Sequence, residues 1–192
     1  MQHLRRQCNR KDLPFYLNTI IASNAKGGCF NGASFGYYHD AITNKAGALP
    51  CSSKQILKLG DKFSSSRCFS KEDVVLYAQL CRDSNPIHTQ ELAAKESGFP
   101  GCVVNGMLHA AIFPAIIGSQ FPGAIYVSQT LNFREPVFVD EDLFAEIVIK
   151  EIINLKKFYK VTFATTCYKK VANLLVLDGN AVALLMADKS GI

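Results

Sequence analysis

The sequence predicts an α+β domain: a curved antiparallel sheet wrapped around one central apolar α-helix. Three observations carry this. The segment Gly106–Ile117 is apolar almost all round, as a helix must be to lie inside a domain rather than on it. Four long strand-like runs follow it without an intervening helical pattern. Ahead of it stand one early strand-like run, Ile56–Phe69, and two short helical stretches. Strands gathered in a block argue for antiparallel pairing, since a parallel sheet alternates strand and helix.

Each element has its own signals. Ser70 with Asp73 three positions on is an acidic variant of the capping box, and Val74, Tyr77, Ala78 and Cys81 then share one helical face. That helix stops before Asn85-Pro86, because the residue preceding proline is biased away from helical geometry. A short helix over Gln90–Glu96 ends at Gly98, a helix-terminating glycine. Pro114 is expected to kink the central helix or end it early. In the strand runs, Ile125, Val127, Leu131 and Phe133 alternate on one face, as do Leu143, Ala145, Ile147 and Ile149, and Tyr159, Val161, Phe163 and Cys167. The last run, Leu174–Met186, is interrupted by Asp178-Gly179, which reads as a hairpin turn or a bulge. One apolar helix laid on a curved sheet is the hotdog arrangement, here a single copy.

The 192 residues suit one domain, and 48% hydrophobic content is ample for a packed core. The longest apolar run, Val103–Gly118, carries Asn105, His109 and Pro114 and reads as a buried helix, not a membrane span. Seven cysteines lie scattered with no C-x-x-C pair, so neither a zinc site nor a dithiol redox motif is signalled, and each reads as packing. The formal charge of +5 sits mostly in residues 1–53, where Arg5, Arg6, Arg10, Lys11, Lys26 and Lys45 face only Asp12 and Asp40. The globular part, 54–188, is close to neutral, and nucleic-acid binding loses its compositional support. The Arg-bearing, acid-poor leader, 1–53, is similar to an organellar transit peptide, with an unstructured extension as the alternative.

The densest chemistry is Asp83-Ser84-Asn85-Pro86-Ile87-His88, just past a helix end. If the chain turns there, the Asp carboxylate and His imidazole converge and can hold a water or move a proton. Asn85 supplies both a donor and an acceptor. An ordinary helix-ending turn uses the same residue types. A second feature is Gly106, which opens the apolar helix. Backbone N–H groups at such a start suit an oxyanion, although tight packing also calls for glycine.

Tyr77, Asp83-x-Asn85-Pro86-Ile87-His88, Ala93, Gly98-Phe99 and Gly106-Met107 together resemble the signature of the MaoC-like, R-specific enoyl-thioester hydratases. The resemblance spans roughly Ile56–Met186, and Phe133-Arg134-x-Pro136-Val137 with Asp140-Glu141-Asp142 is similar to the family's passage after the central helix. The leader and the Phe121-Pro122-Gly123-Ala124 passage look most like the family's mitochondrial 3-hydroxyacyl-carrier-protein dehydratase branch. The resemblance implies a hydro-lyase that interconverts 3-hydroxyacyl and 2-enoyl thioesters of acyl carrier protein or coenzyme A. It implies Asp83 and His88 as the catalytic pair, Asn85 supporting the water or hydroxyl, and the Gly106 N–H binding the thioester oxygen. It further implies no metal or redox cofactor, a homodimer, and a place in the mitochondrial matrix. The family usually has His-Gly where this chain has Asn105-Gly106, and His109, one turn along, reads as a packed core histidine. Met107, Phe113, Leu131 and Phe133 are expected along an acyl slot, and Arg82, Lys95 and Arg134 are the basic residues available to a carrier protein. A hotdog thioesterase and a non-catalytic acyl-binding hotdog are the competing readings.

Overall fold

The structure is a computed structural model that describes residues 57–187. The leader and its boundary at residues 53/54 lie outside those residues, whereas the early strand, expected from Ile56, begins only at Lys62, after a turn at Leu59-Gly60. The chain runs β1 (Lys62–Cys68), α1 (Lys71–Cys81), a 3-10 turn (Pro86–His88), α2 (Glu91–Glu96), α3 (Gly106–Ala110), α4 (Ile112–Gln120), β2 (Ile125–Phe133), β3 (Asp142–Asn154), β4 (Phe158–Lys169) and β5 (Leu174–Met186). The five strands form one sheet in the order β1-β3-β4-β5-β2, every neighbour antiparallel.

The sheet's inner face is the apolar alternation read from the sequence. Leu143, Ala145, Ile147 and Ile149 of β3 are buried, as are Val161, Phe163 and Cys167 of β4, with Tyr159 packed at the margin. Against them α4 lays Ile112, Phe113, Ile116 and Ile117, all buried. Burying one such side chain is worth about 1.5–3 kcal/mol, so this layer holds the domain together.

The central helix is broken one turn before Pro114. Ala111 caps both α3 and α4, and Pro114 falls in the first turn of α4. A proline there sacrifices no helical hydrogen bond, because first-turn N–H groups lack partners anyway. The break therefore answers Pro114 by restarting the helix, and α4 runs on past Ile117 to Gln120.

Two strand expectations are corrected. Asp178-Gly179 is neither turn nor bulge: β5 is continuous, and Gly179 pairs with Leu131 on one side and Thr165 on the other. Glycine is required because a Cβ there would collide with the Thr130 carbonyl oxygen. The alternation proposed for β2 is interrupted at Val127, where the register slips between Tyr126 and Ser128. A bulge moves every later side chain to the other face, so Tyr126 and Leu131 are the ones that pack on the core. On α1, Val74 and Ala78 are buried as expected, whereas Cys81 at the helix end is exposed.

Candidate active site

The loop after α1 is built by local hydrogen bonds. Arg82 leaves the helix in the left-handed region (φ 55°), and the Asp83 N–H returns to the Ala78 carbonyl at 2.9 Å. Asp83 Oδ1 accepts from the Asn85 N–H at 3.1 Å, and Asn85 Oδ1 accepts from the Ile87 N–H at 3.4 Å. Two side-chain turns in series, followed by Pro86 with its fixed φ, wind the chain into the 3-10 turn that carries His88.

Three contacts then bind this loop to the start of α3. The Val103 N–H donates to the Ile87 carbonyl at 3.1 Å. The Val103 carbonyl lies 2.6 Å from His88 Nδ1. Asn105 Nδ2 donates to Asp83 Oδ2 at 2.8 Å. On its other side the 102–104 segment is held by the loop after β2, through Val104 N–H to Val137 O (2.8 Å) and Val139 N–H to Cys102 O (3.2 Å). The sheet thus supplies the platform on which the 83–106 stretch gathers Asp83, His88 and Asn105.

Asp83 Oδ2 and His88 Nε2 stand 3.7 Å apart. That is too long for a direct hydrogen bond and suits two groups that share one oxygen atom between them. A carbonyl only accepts, so the Val103 oxygen fixes the proton of neutral His88 on Nδ1 and leaves the Nε2 lone pair facing the carboxylate. The Asn85 N–H, then the Asn105 amide and the nearby imidazole, hold the Asp83 carboxyl below the usual carboxylate range. The His88 side chain is mostly enclosed (12% exposed) and that of Asp83 is partly open (36%).

Asn85 spends its Oδ1 on capping the turn. Gly106 is the first residue of α3, and its N–H has no backbone partner among the described residues. The Phe133 ring lies against its α-carbon, 3.0 Å from where a Cβ would stand, so any larger residue here requires this half-exposed ring to give way by a few tenths of an ångström. Phe133 and Met107 are half-exposed beside the helix start, whereas Phe113 is wholly core and not part of any opening. Of the basic residues, Arg134 is paired with Asp178 at 2.8 Å and Lys95 with Glu91 at 3.8 Å, leaving Arg82 without an ion pair among the described residues. His109 is buried with its ring edge-on to Phe133 (centroids 5.6 Å apart), a packed histidine.

Sequence reasoning missed two members of the site. The Val103 carbonyl has no residue-type signal at all. Asn105 was noticed only as a departure at the helix start, and its amide in fact touches Asp83.

The fold and this site define a class, the single hotdog domain with an Asp–His pair poised at the start of its buried helix. The chain belongs to the MaoC-like domain family, whose model matches residues 55–170. It is 41% identical over 133 residues to the mitochondrial 3-hydroxyacyl-[acyl-carrier-protein] dehydratase of Arabidopsis thaliana, covering 69% of this chain and 80% of that one. It is 36% identical to an (R)-specific enoyl-CoA hydratase of Rhodospirillum rubrum, covering 68% of this chain and 90% of the relative. Among solved structures it resembles the (R)-hydratase of A. caviae, with a TM-score of 0.64, 32% identity, and coverage of 69% of this chain and 99% of that one.

Proposed function

We propose that the chain is a hydro-lyase that interconverts (R)-3-hydroxyacyl and trans-2-enoyl thioesters, carried on acyl carrier protein, in mitochondrial fatty-acid synthesis. The observation that carries this is the 3.7 Å approach of Asp83 Oδ2 and His88 Nε2, together with the hydrogen bonds that tie both to the start of α3. Its relatives are dehydratases and hydratases acting on such thioesters by name.

Dehydration removes a proton from C2 and hydroxide from C3. In our reading the C3 hydroxyl sits between Asp83 Oδ2 and His88 Nε2. Nε2, unprotonated in the neutral ring, takes the C2 proton, and the C2–H electron pair forms the double bond as the C3–O bond breaks. The imidazolium, stabilised by the Asp83 carboxylate, hands its proton to the departing hydroxyl, which leaves as water. The site ends in the charge state in which it began, and hydration is the same path reversed. The Gly106 N–H is the donor placed for the enolate-like oxygen of the thioester. A donor of that kind is worth roughly 100–1,000-fold in rate, and acid–base assistance contributes roughly 100–10,000-fold. The Asn85 side-chain amide nitrogen, opposite its capping oxygen, is the group available to the hydroxyl.

The test is direct. Incubated with a 2-enoyl thioester, the protein is expected to bleach the enoyl absorbance without releasing thiol. Release of thiol instead would mean a thioesterase, and no change at all would mean a binding module. Asp83→Ala and His88→Ala are each expected to lose at least a hundredfold in turnover with unchanged circular dichroism. Parental turnover in both would end the assignment.

Two further parts belong to the same reading. The chain works as a homodimer, supported by the outer edge of β2, which has no strand partner among the described residues, and by the half-exposed Phe133 on that strand. The leader, 1–53, delivers the domain to mitochondria, supported by its composition and by the mitochondrial plant relative. A reporter fused to residues 1–53 is expected in mitochondria, and a reporter left diffuse in the cytosol rules the delivery role out.

A further inference from the structure

Asn105 stands at the N-cap of α3, where asparagine ordinarily turns its side chain back to accept from a first-turn N–H. Here it makes no such bond. Its backbone carbonyl still anchors the first turn, accepting from the Leu108 N–H at 3.0 Å and the His109 N–H at 3.3 Å. Its side chain instead reaches across the chain to Asp83 Oδ2 at 2.8 Å. Because an ionised carboxylate only accepts, the amide must present its nitrogen there. Its oxygen then faces the interior, and Asn105 Oδ1 is buried without a partner among the described residues. Asn105 itself is only 3% exposed. A forgone cap and an unpaired buried oxygen both act against stability. Folding alone does not account for an asparagine held this way.

We infer that Asn105 is a positioning residue for the acid–base pair: its amide fixes Asp83 Oδ2 toward His88 Nε2 and keeps the carboxylate charged without itself titrating. The inference rests on the roles of Asp83 and His88 proposed above. With the Asn85 N–H on Oδ1 and the Asn105 amide on Oδ2, both oxygens of Asp83 are tied, and the carboxylate cannot swing away from the imidazole. The donor is an amide, so its charge is the same at every pH at which the protein folds. The titratable groups that face Asp83 are His88 from the 3-10 turn and Tyr77 from α1. Neither replaces a neutral fixed donor on Oδ2: His88 must exchange protons, and the side-chain and backbone donors that reach the Asp83 carboxylate are those of Asn105 and Asn85.

The experiment measures kcat, KM and the pH profile of kcat/KM on the full chain. Asn105→Leu is expected to lower kcat roughly tenfold to a hundredfold, the scale of one hydrogen bond to a charged group. KM should change little, because the lost interaction acts on the reacting pair rather than on the bound chain. The step of the acid limb at which Asp83 takes its proton should move to higher pH, since a carboxylate stripped of a donor protonates more readily. Asn105→His keeps an N–H at that place and is expected to recover most of the rate and bring the limb back. Asn105→Asp, equal in size, puts an acceptor against Oδ2 and should move the limb further up; it decides the matter if the leucine variant does not fold. An Asp83 step that stays at the parent's position in the leucine and aspartate variants overturns the inference, whatever the rate, and leaves Asn105 a packing residue. Parental turnover in Asp83→Ala would instead strike the underlying assignment of the pair.

Discussion

His88 and His109 show how placement decides what an imidazole does. His88 has one nitrogen tied to a carbonyl and the other facing a carboxylate at the edge of a partly open site. His109, on the first turn of the central helix, has neither nitrogen paired among the described residues, and burial pushes its pKa down to about 4. The unfolded chain takes a proton near pH 6.5, the ordinary histidine value. The stability gained by keeping His109 neutral is therefore complete above about pH 6.5 and is lost as the pH falls from there to about 4. Urea melts across that window should show the parent losing roughly 3 kcal/mol more than His109→Leu; parallel curves would mean that the ring is hydrated in the fold. At this scale the sequence was readable where chemistry is local. Asp83, Asn85, Pro86 and His88 make their own turn, so their convergence follows from residue types a few positions apart. The bond from Asn105 to Asp83 was not readable, because it joins residues 22 apart through tertiary packing that no local rule describes.

At the scale of elements, every helix and strand expected in the described residues is present, and the differences are a later start of β1, the break in the central helix at Ala111 and single-residue irregularities in the strands. The box at the start of α1 is complete, with the Asp73 N–H donating to Ser70 Oγ at 3.2 Å and the Ser70 N–H donating to Asp73 Oδ2 at 3.1 Å. Ser70→Ala should cost about 1 kcal/mol in a denaturant melt without affecting turnover. Bulges at Val127 and Lys150, and a further register shift opposite Val176, bend the long strands. They were invisible because apolar residues occupy both parities in these runs, so an inserted residue leaves no gap in the pattern. Gly179 was noticed for the wrong reason. Its glycine answers the closeness of β2, not a change of chain direction. Gly179→Ala must push β2 away at Thr130 and should cost about 1–3 kcal/mol or more, read as a lowered Tm; an unchanged Tm would mean that β2 yields freely.

At the scale of the molecule, the sheet ends in β2, a nine-residue strand whose far edge has no partner among the described residues. Exposed edges of that length invite pairing, and sedimentation at micromolar concentration should give twice the 21.1 kDa chain mass. A monomer mass would dismiss the dimer. Fold class was legible at this scale because an all-round apolar helix followed by four alternating runs has few packing solutions. That β2 ends the sheet was not, since nothing in a strand's own residues says whether it stands at an edge. One further consequence follows from the confinement of Asp83, His88, Asn105 and Gly106 to the 83–106 stretch. Under the roles proposed above, the strands contribute support to this site and the reacting groups come from that stretch. Random mutagenesis should therefore sort damage by address: lesions in β3, β4 and β5 surface as insoluble or short-lived protein, and many of those between 83 and 106 as abundant protein that does nothing.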